Sequence, residues 1–384
     1  MKCMVIDGNS IINRAYYGIR PLTNREGLYT HAVFGFLTTL LRLKEEERPD
    51  ALCVTFDLHA PTFRHKADEA YKATRKPMPE ELRMQVPVLK EVLDTLNIPR
   101  YEMEGWEADD LIGTISRKCE AAGWDCVVVT GDKDSLQLIT DHTKVKLVST
   151  RMGQTTTKDM TPETFREQYG FEPIHMIDLK ALMGDTSDNI PGVPGVGEKT
   201  AMDLIQKYGS VDAIYEKLPD IDAKPAAIKK LTAGEDAARH SYWLATIVTD
   251  APLSFDPAEN RVQEPTPAAY PLFLKLEFSK LIEKMGLRPE ETAPADAVPE
   301  VLNFSTNCVN SQTFIEYLSG RHIYISGGSA CDKGEPSHTL MAMGAPDLAV
   351  RTALRVSFCG DNTPEDVQAL LDGLKDGLKE LQHI

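Results

Sequence analysis

Four short apolar runs rich in β-branched residues, Cys3–Ile6, Ala51–Phe56, Cys126–Thr130 and Val145–Val148, alternate with helix-like segments through the first 150 residues. The helical patterns fall at His31–Glu47, Pro79–Leu96 and Ala108–Ala122, with a short one after Asp134. Runs this short and apolar predict buried strands, and their alternation with helices predicts an α/β fold with a mainly parallel sheet and flanking helices. Such sheets bind ligands beyond the carboxyl ends of their strands. Three of the four runs end there in an acid: MVID at Asp7, CVTFD at Asp57 and VVVTGDKD at Asp132, with Asp134 just beyond.

Two further motifs add to this edge. WEADDLIG opens a helix with Glu107, Asp109 and Asp110, and GDTSDNIPG repeats an i, i+3 spacing with Asp185 and Asp188. Any one of these acids is ordinary cap or turn chemistry. Nine converging carboxylates repel one another unless cations neutralise them, and hard oxygen ligands suit Mg²⁺ or Mn²⁺. Two such ions could activate a water and stabilise the leaving oxygen of a phosphodiester displacement. The seven cysteines are scattered and never in CxxC spacing, so they predict reduced thiols rather than disulfides or zinc, and no GxSxG motif points to acyl transfer.

The net charge of −16 is the wrong sign for a protein that simply coats a polyanion. Residues 1–260 hold 41 acidic and 31 basic side chains, so the nine acids account for nearly all of their excess. The remaining surface is free to carry basic patches such as Arg64–Lys76 (RHKADEAYKATRK). No run approaches the length of a membrane span and the chain starts directly on a strand pattern, which predicts a cytoplasmic protein with no membrane partner.

From about Met160 to Leu253 the pattern turns helical. Within it, Ile190–Ala201 (IPGVPGVGEKTA) places Gly192, Val193, Gly195 and Gly197 before Lys199 and Thr200, which open a helix. Glycines let a backbone approach a phosphate closely, and a helix N-terminus offers free N–H donors. The spacing is that of a helix-hairpin-helix rather than a P-loop, since Lys199 follows Glu198. Lys224, Lys229 and Lys230 could extend the phosphate track. Arg288–Pro299 is acidic and proline-rich and reads as a linker. Beyond it, His322–Ser326 (HIYIS) predicts a strand, His338–Met343 a possible partner strand, and Pro364–Gln382 a helix.

In order, MVIDGNSIINRAYYG, TFDLHAPTFRHKADEAYKATRKPMPEELR, GWEADDLIGT, VVVTGDKDSLQLI and GDTSDNIPGVPGVGEKTA resemble the 5′ nuclease domains of bacterial DNA polymerases I, within the flap endonuclease superfamily. The resemblance covers roughly residues 1–290. It implies a PIN-like catalytic domain at 1–170, a helix-hairpin-helix (H3TH) subdomain at 171–287, a linker at 288–300, and at 301–384 a truncated, inactive α/β domain like a 3′→5′ exonuclease. Inactivity follows because Ser326 and Gly328 stand where that domain's metal-binding Asp-x-Glu pair belongs.

By the same resemblance Asp7, Asp57, Glu107, Asp109, Asp110, Asp132, Asp134, Asp185 and Asp188 hold two or more Mg²⁺ or Mn²⁺ ions. Arg14, Arg64, Tyr71, Lys72 and Arg75 match residues near the arch that contacts the scissile phosphate and the unpaired 5′ strand, so that Asp7, Asp57, Arg14, Lys72 and Arg75 are expected to be catalytic and Arg64, Tyr71, Lys72 and Arg75 to touch DNA. Gly192, Val193, Gly195, Gly197, Lys199 and Thr200 match the element that grips duplex DNA, with K⁺ held by its carbonyls. The implied activity is a monomeric structure-specific 5′→3′ exonuclease and flap endonuclease acting on 5′ flaps, nicks and RNA primers in replication and repair. A non-catalytic DNA-backbone-binding module and a PIN-type ribonuclease are the alternatives; a haloacid-dehalogenase-type phosphatase is disfavoured because Asp7-Gly8-Asn9 lacks a second acid.

Overall fold

The structure is a computed structural model that describes residues 1–151, 154–288, 300–327 and 337–383. The chain separates into two compact units, Met1–Pro289 and Glu290–Ile384. Most of the expected linker lies outside the described residues.

The first unit is built on six strands: β1 (Lys2–Asp7), β2 (Ala51–Thr55), β3 (Arg100–Tyr101), β4 (Asp125–Thr130), β5 (Thr143–Arg151) and β6 (Gln154–Met160), in the order β3-β2-β1-β4-β5-β6. The first five run parallel, and β6 folds back antiparallel on β5. The sequence pattern marked β1, β2, β4 and the middle of β5. It missed β6, whose residues QTTTKDM carry no apolar run, and two-residue β3.

Helices cover both faces: α1 (Gly8–Gly18), α2 (His31–Glu47), α3 (Phe63–Ala67), α4 (Glu80–Thr95), α5 (Ala108–Ala121), α6 (Pro162–Tyr169) and α7 (Met176–Met183). The helical run continues with α8 (Glu198–Tyr208), α9 (Val211–Glu216), α10 (Pro225–Ala233), α11 (Glu235–Ala245), α12 (Ala269–Lys275) and α13 (Ser279–Met285). Strand alternation sorts the core in two. Cys3, Val5, Cys53, Cys126 and Val128 pack under α5 and α7, whereas Met4, Ile6, Val54, Val127 and Val129 pack against α1, α2, α4 and α12. Full burial of each such side chain contributes about 1.5–3 kcal/mol.

From β1 the chain builds outward to β2 and β3, then crosses to β4 on the other side, so the strand order reverses beside β1. The carboxyl ends of β1, β2 and β4 thus open a crevice lined by Asp7, Asp57 and Asp132.

In the second unit β7 (Val301–Ser305) pairs antiparallel with β8 (Ala353–Ser357), and α14 (Ser311–Ser319), α15 (His338–Ala342), α16 (Asp347–Arg351) and α17 (Pro364–Glu380) surround them. Two expectations are corrected here. HIYIS is not a strand: His322 sits at φ +61° in a turn, and only Ser326 bridges to Arg355. The expected partner strand is instead α15, whose N-terminus is capped by Ser337 accepting from Leu340 N at 3.4 Å. The helix expected from Pro364 is α17. Gly328 lies outside the described residues. No helix among the described residues is long and apolar enough to cross a membrane.

Candidate active site

Asp7 ends β1 and caps α1, its Oδ1 accepting from Ser10 N at 2.9 Å. Its other oxygen accepts from Thr130 Oγ1 at 2.7 Å, which ties β1 to the end of β4. Asp57, just past β2, accepts from Ala108 N at 2.7 Å and so caps α5 from outside the helix. That contact brings Asp109, in the first turn of α5, over the sheet edge. Asp132 follows the β4 turn, its N–H bonded to Thr130 Oγ1. These four carboxylates line one cavity of about 420 Å³, together with Asn9, Asn13, Tyr17, Lys72, Arg75 and Lys76.

The electrostatics of this group are unbalanced. Burial pushes Asp7 up to about 7, against the hydrogen bonds from Ser10 and Thr130 and helped by Asp57 and Asp132. Burial, then the charges of Asp7 and Asp132, holds Asp109 well above the usual carboxylate range. Asp109 Oδ1 is buried without a hydrogen-bond partner. An orphaned buried carboxylate oxygen among acids that line one cavity suits a hard cation, since burial without a partner is costly and oxygen donors suit Mg²⁺; no three of these acids bring their oxygens within 4.8 Å of one another, so they line the cavity without closing a cage.

The other five predicted acids already have cations. Arg64 clasps Asp110 through two 2.8 Å bonds and reaches Glu107 at 3.2 Å. Asp110 also accepts from Val248 N and Glu107 N, and it is fully buried. Glu107 further takes Tyr71 Oη at 3.1 Å and Lys72 Nζ at 2.9 Å. Asp188 is held by Arg75, with Nε at 3.1 Å, and by Lys72 at 3.9 Å. Asp134 and Asp185 share the ammonium of Lys180, 2.6 Å from Asp185 Oδ2. Burial opposes it, but Lys180 brings Asp185 down to about 2, whereas burial and Asp132 push Asp134 up to about 7 despite the same lysine.

Several expected arch contacts are placed differently. Arg64 is 2% exposed and Tyr71 4%, so neither presents itself to a strand of DNA; both are spent on Glu107 and, for Arg64, Asp110. Their motif mixes charge and aromatics as a nucleic-acid patch does, and only tertiary packing shows that both turn inward, Arg64 from α3 and Tyr71 from the turn after it. Arg14 donates to Gly131 O rather than reaching the cavity acids. Lys72 lies at φ +57°, and its N–H bond to Asp188 O at 2.8 Å pins the turn after α3 to the 185–190 loop.

Lys180 escaped the sequence reading. Its signal is weak but physical: it and Asp178 are the only charged residues in the otherwise apolar α7, MIDLKALM, and both are buried. A second acidic cluster lies near the opposite ends of the strands. Glu46, Glu47 and Asp159 bring their oxygens within 4.8 Å of one another, but Lys2, Lys144 and the buried Lys146 neutralise them, which makes an ion-pair network.

The hairpin is built as the spacing implied. Gly192 and Gly195 take φ +62° and +80°, and a Cβ at Gly192 would meet Gly184 N at 2.3 Å. Val193 is buried, anchoring the turn, while Gly197, Lys199 and Thr200 are exposed at the start of α8, which has no side-chain cap. Lys230 Nζ donates to Gly195 O at 2.8 Å, so this hairpin carbonyl already has a cationic partner.

Two consecutive family models match the chain: the 5′-3′ exonuclease N-terminal resolvase-like domain over residues 2–170 and the 5′-3′ exonuclease C-terminal SAM fold over 171–268. A class-V aminotransferase model matches 275–370, a stretch that begins in α12 of the first unit and so does not follow a folded domain. DNA polymerase I of Caldicellulosiruptor bescii is 42% identical over 288 residues, covering 75% of this chain and 34% of that protein. The Bacillus subtilis DNA polymerase I is 40% identical over 318 residues, covering 81% and 35%. The chain thus spans about a third of the length of these curated relatives. Among solved structures, the T5 5′-exonuclease with bound zinc has a TM-score of 0.53 at 22% identity, covering 74% of this chain and 99% of its own. The T5 D15 flap endonuclease with DNA and metal ions has a TM-score of 0.52 at 22% identity, covering 75% and 100%; at this identity both speak for the fold. With its sheet order, its helical half and two adjacent models all in agreement over residues 2–268, this chain belongs to the 5′-3′ exonuclease family.

Proposed function

We propose that this chain is a divalent-metal-dependent, structure-specific 5′ nuclease that hydrolyses phosphodiester bonds at 5′ flaps, nicks and RNA primers. The observation that carries the reading is the orphaned Asp109 Oδ1 among Asp7, Asp57 and Asp132 in a cavity rimmed by Lys72, Arg75 and Lys76. These four acids would hold one Mg²⁺ or Mn²⁺ ion. Asp134, Asp185 and Asp188 would form a second position once Lys180 and Arg75 give way, with Glu107 joining the first when Lys72 leaves it. Bound divalent ions would supply an activated water and neutralise the leaving oxygen.

The chain's own residues do the rest. Lys72 and Arg75 are set to exchange their carboxylates for the scissile phosphate, and with Lys76 on the cavity rim they orient it toward the acids. The exposed N–H groups of α8, with Lys199 and Thr200, hold a duplex phosphate without reading sequence. Lys230 at Gly195 O supplies part of the charge that K⁺ would bring to the hairpin. Asp110 and Arg64 fix α5 so that Asp109 faces the cavity. Residues 1–170 would carry the catalytic part and 171–287 the duplex-holding part of a monomeric cytoplasmic protein. The described 301–327 and 337–383 would contribute no proofreading.

The test is cleavage of a flap-labelled 5′-flapped duplex by the wild-type chain and by Asp109→Asn, with Mg²⁺ and with chelator. Mg²⁺-dependent cutting near the junction, lost in the variant while salt-sensitive binding persists, supports the proposal. Binding without cutting by the wild type would reduce the chain to a DNA-backbone-holding module, and a preference for single-stranded RNA would make it a ribonuclease.

A further inference from the structure

Four of the seven cysteines meet on the face of the sheet covered by α5. Cys3 and Cys126 are register partners on the parallel strands β1 and β4, so their side chains leave the sheet on the same side. Cys53 of β2, level with Val5, shares that face. Cys119, in the last turn of α5, packs down onto them, and none of the four is more than 1% exposed. Cys119 thus belongs to the same buried cluster as Cys3 and Cys126. Cys53 lies across β1 from Cys126.

A single buried cysteine is a small apolar residue. Three thiols buried in one cluster are chemically different, because two of them can be joined by losing two hydrogens. They are not a preformed cation cage, since their three sulfurs do not all lie within 4.8 Å of one another.

We propose that Cys3, Cys119 and Cys126 form an internal disulfide site, in which a hydroperoxide oxidises Cys119 and the product is a Cys119–Cys126 bond that exchanges with Cys3. Cys119 reacts first because it sits on the covering helix α5 and leaves the sheet when that seam opens, whereas Cys3 and Cys126 are fixed in paired strands. The neighbouring thiols of Cys126 and Cys3 also hold it below the ordinary thiol range. Its sulfur attacks the terminal peroxide oxygen, giving sulfenic acid and releasing the other oxygen as an alcohol, or as water when the oxidant is hydrogen peroxide; the Cys126 thiol then attacks that sulfur and expels water. One hydroperoxide is reduced and two thiols are oxidised. The Cys3 thiol, left beside the new bond, can attack Cys119 and release Cys126. Complete burial makes opening of the seam between α5 and the sheet the slow step. The bond ties to the central strands the same helix that presents Asp109 at its other end.

The experiment treats the full chain with hydrogen peroxide, quenches it in acid, alkylates it unfolded with N-ethylmaleimide and digests it with trypsin. Cleavage after Lys118 and Lys133 leaves Cys119 and Cys126 on one peptide, and Cys3 on the peptide ending at Arg14. The expected product is the Cys119–Lys133 peptide, unalkylated and lighter by two hydrogens, with a minor cross-link to the Cys3 peptide; dithiothreitol reverses both. In Cys126→Ala the cross-link moves wholly to Cys3. Full alkylation of Cys3, Cys119 and Cys126 in the wild type, at a peroxide dose that oxidises the exposed Cys359, overturns the proposal whether or not the variant folds.

Discussion

The ammonium of Lys180 lies 2.6 Å from Asp185 Oδ2 while also bonding Asp134, which joins α7 to the loop after β4. A lysine in this place is a resident counter-ion that a divalent ion at the proposed second position would have to displace. Replacing it with methionine leaves two carboxylates facing each other, and the loss of one partner of a buried pair costs about 3–5 kcal/mol. Lys180→Met should therefore melt lower in chelator and recover more than the wild type on adding Mg²⁺. Equal Mg²⁺-induced shifts in differential scanning fluorimetry would contradict this.

Arg64 is expected to behave as a core residue. Arg64→Ala removes both bonds to Asp110 and the contact to Glu107, so urea unfolding should show a loss of about 3–5 kcal/mol. The salt dependence of DNA binding should keep its slope in the folded variant. A slope reduced by about one would instead show a lost phosphate contact.

Metal-free stability should peak on the acid side of neutrality. Asp7 and Asp134, pushed up to about 7, bind protons in the folded state that the unfolded chain has released, so stability falls as pH rises from about 4 to 7. The opposite contribution comes from Glu47, brought down to about 2 because the hydrogen bonds of Lys144, Lys146 and Lys2 outweigh burial. Its share is lost only as pH falls below its ordinary 4.5. Thermal melts in chelator should thus be highest near pH 4 to 4.5, with the gain from Mg²⁺ growing toward pH 8. A gain that does not change with pH would count against this picture.

Two glycines of the hairpin should part company. Gly192→Ala forces a Cβ onto Gly184 N in a left-handed conformation, whereas at Gly197 a Cβ meets nothing within 4 Å. The first substitution should cost at least 1–3 kcal/mol, on the order of other strained backbone positions, and weaken duplex binding. The second should melt within about 0.5 kcal/mol of the wild type, as unstrained surface changes do.

Much of this was legible in the residues. The strand-end acids identified the sheet edge because a parallel sheet converges its carboxyl ends, and the glycine spacing identified the hairpin because few other residues can take φ near +62°. What stayed hidden was the division of nine acids into four that face the cavity and five that are matched with cations. WEADD reads as three equivalent acids, yet Asp109 is orphaned while Asp110 is a pin for Arg64. Pairing of that kind is decided by which helix face meets which neighbour. Arg64, 46 residues from Asp110, leaves no periodicity to find.

The position of β1 has a kinetic consequence. Cys3 pairs with Ala51 on one side and with Cys126 on the other, partners 48 and 123 residues further along the chain. The central strand is therefore made first but can be flanked only after β4 has left the ribosome, and Asp7 waits for Thr130 throughout. Closing loops of that length before any contact rewards them slows folding. A nascent chain stalled before residue 130 would hold an apolar strand flanked on one side only, and the acid-lined edge would come into being in one late step, together with the second half of the sheet.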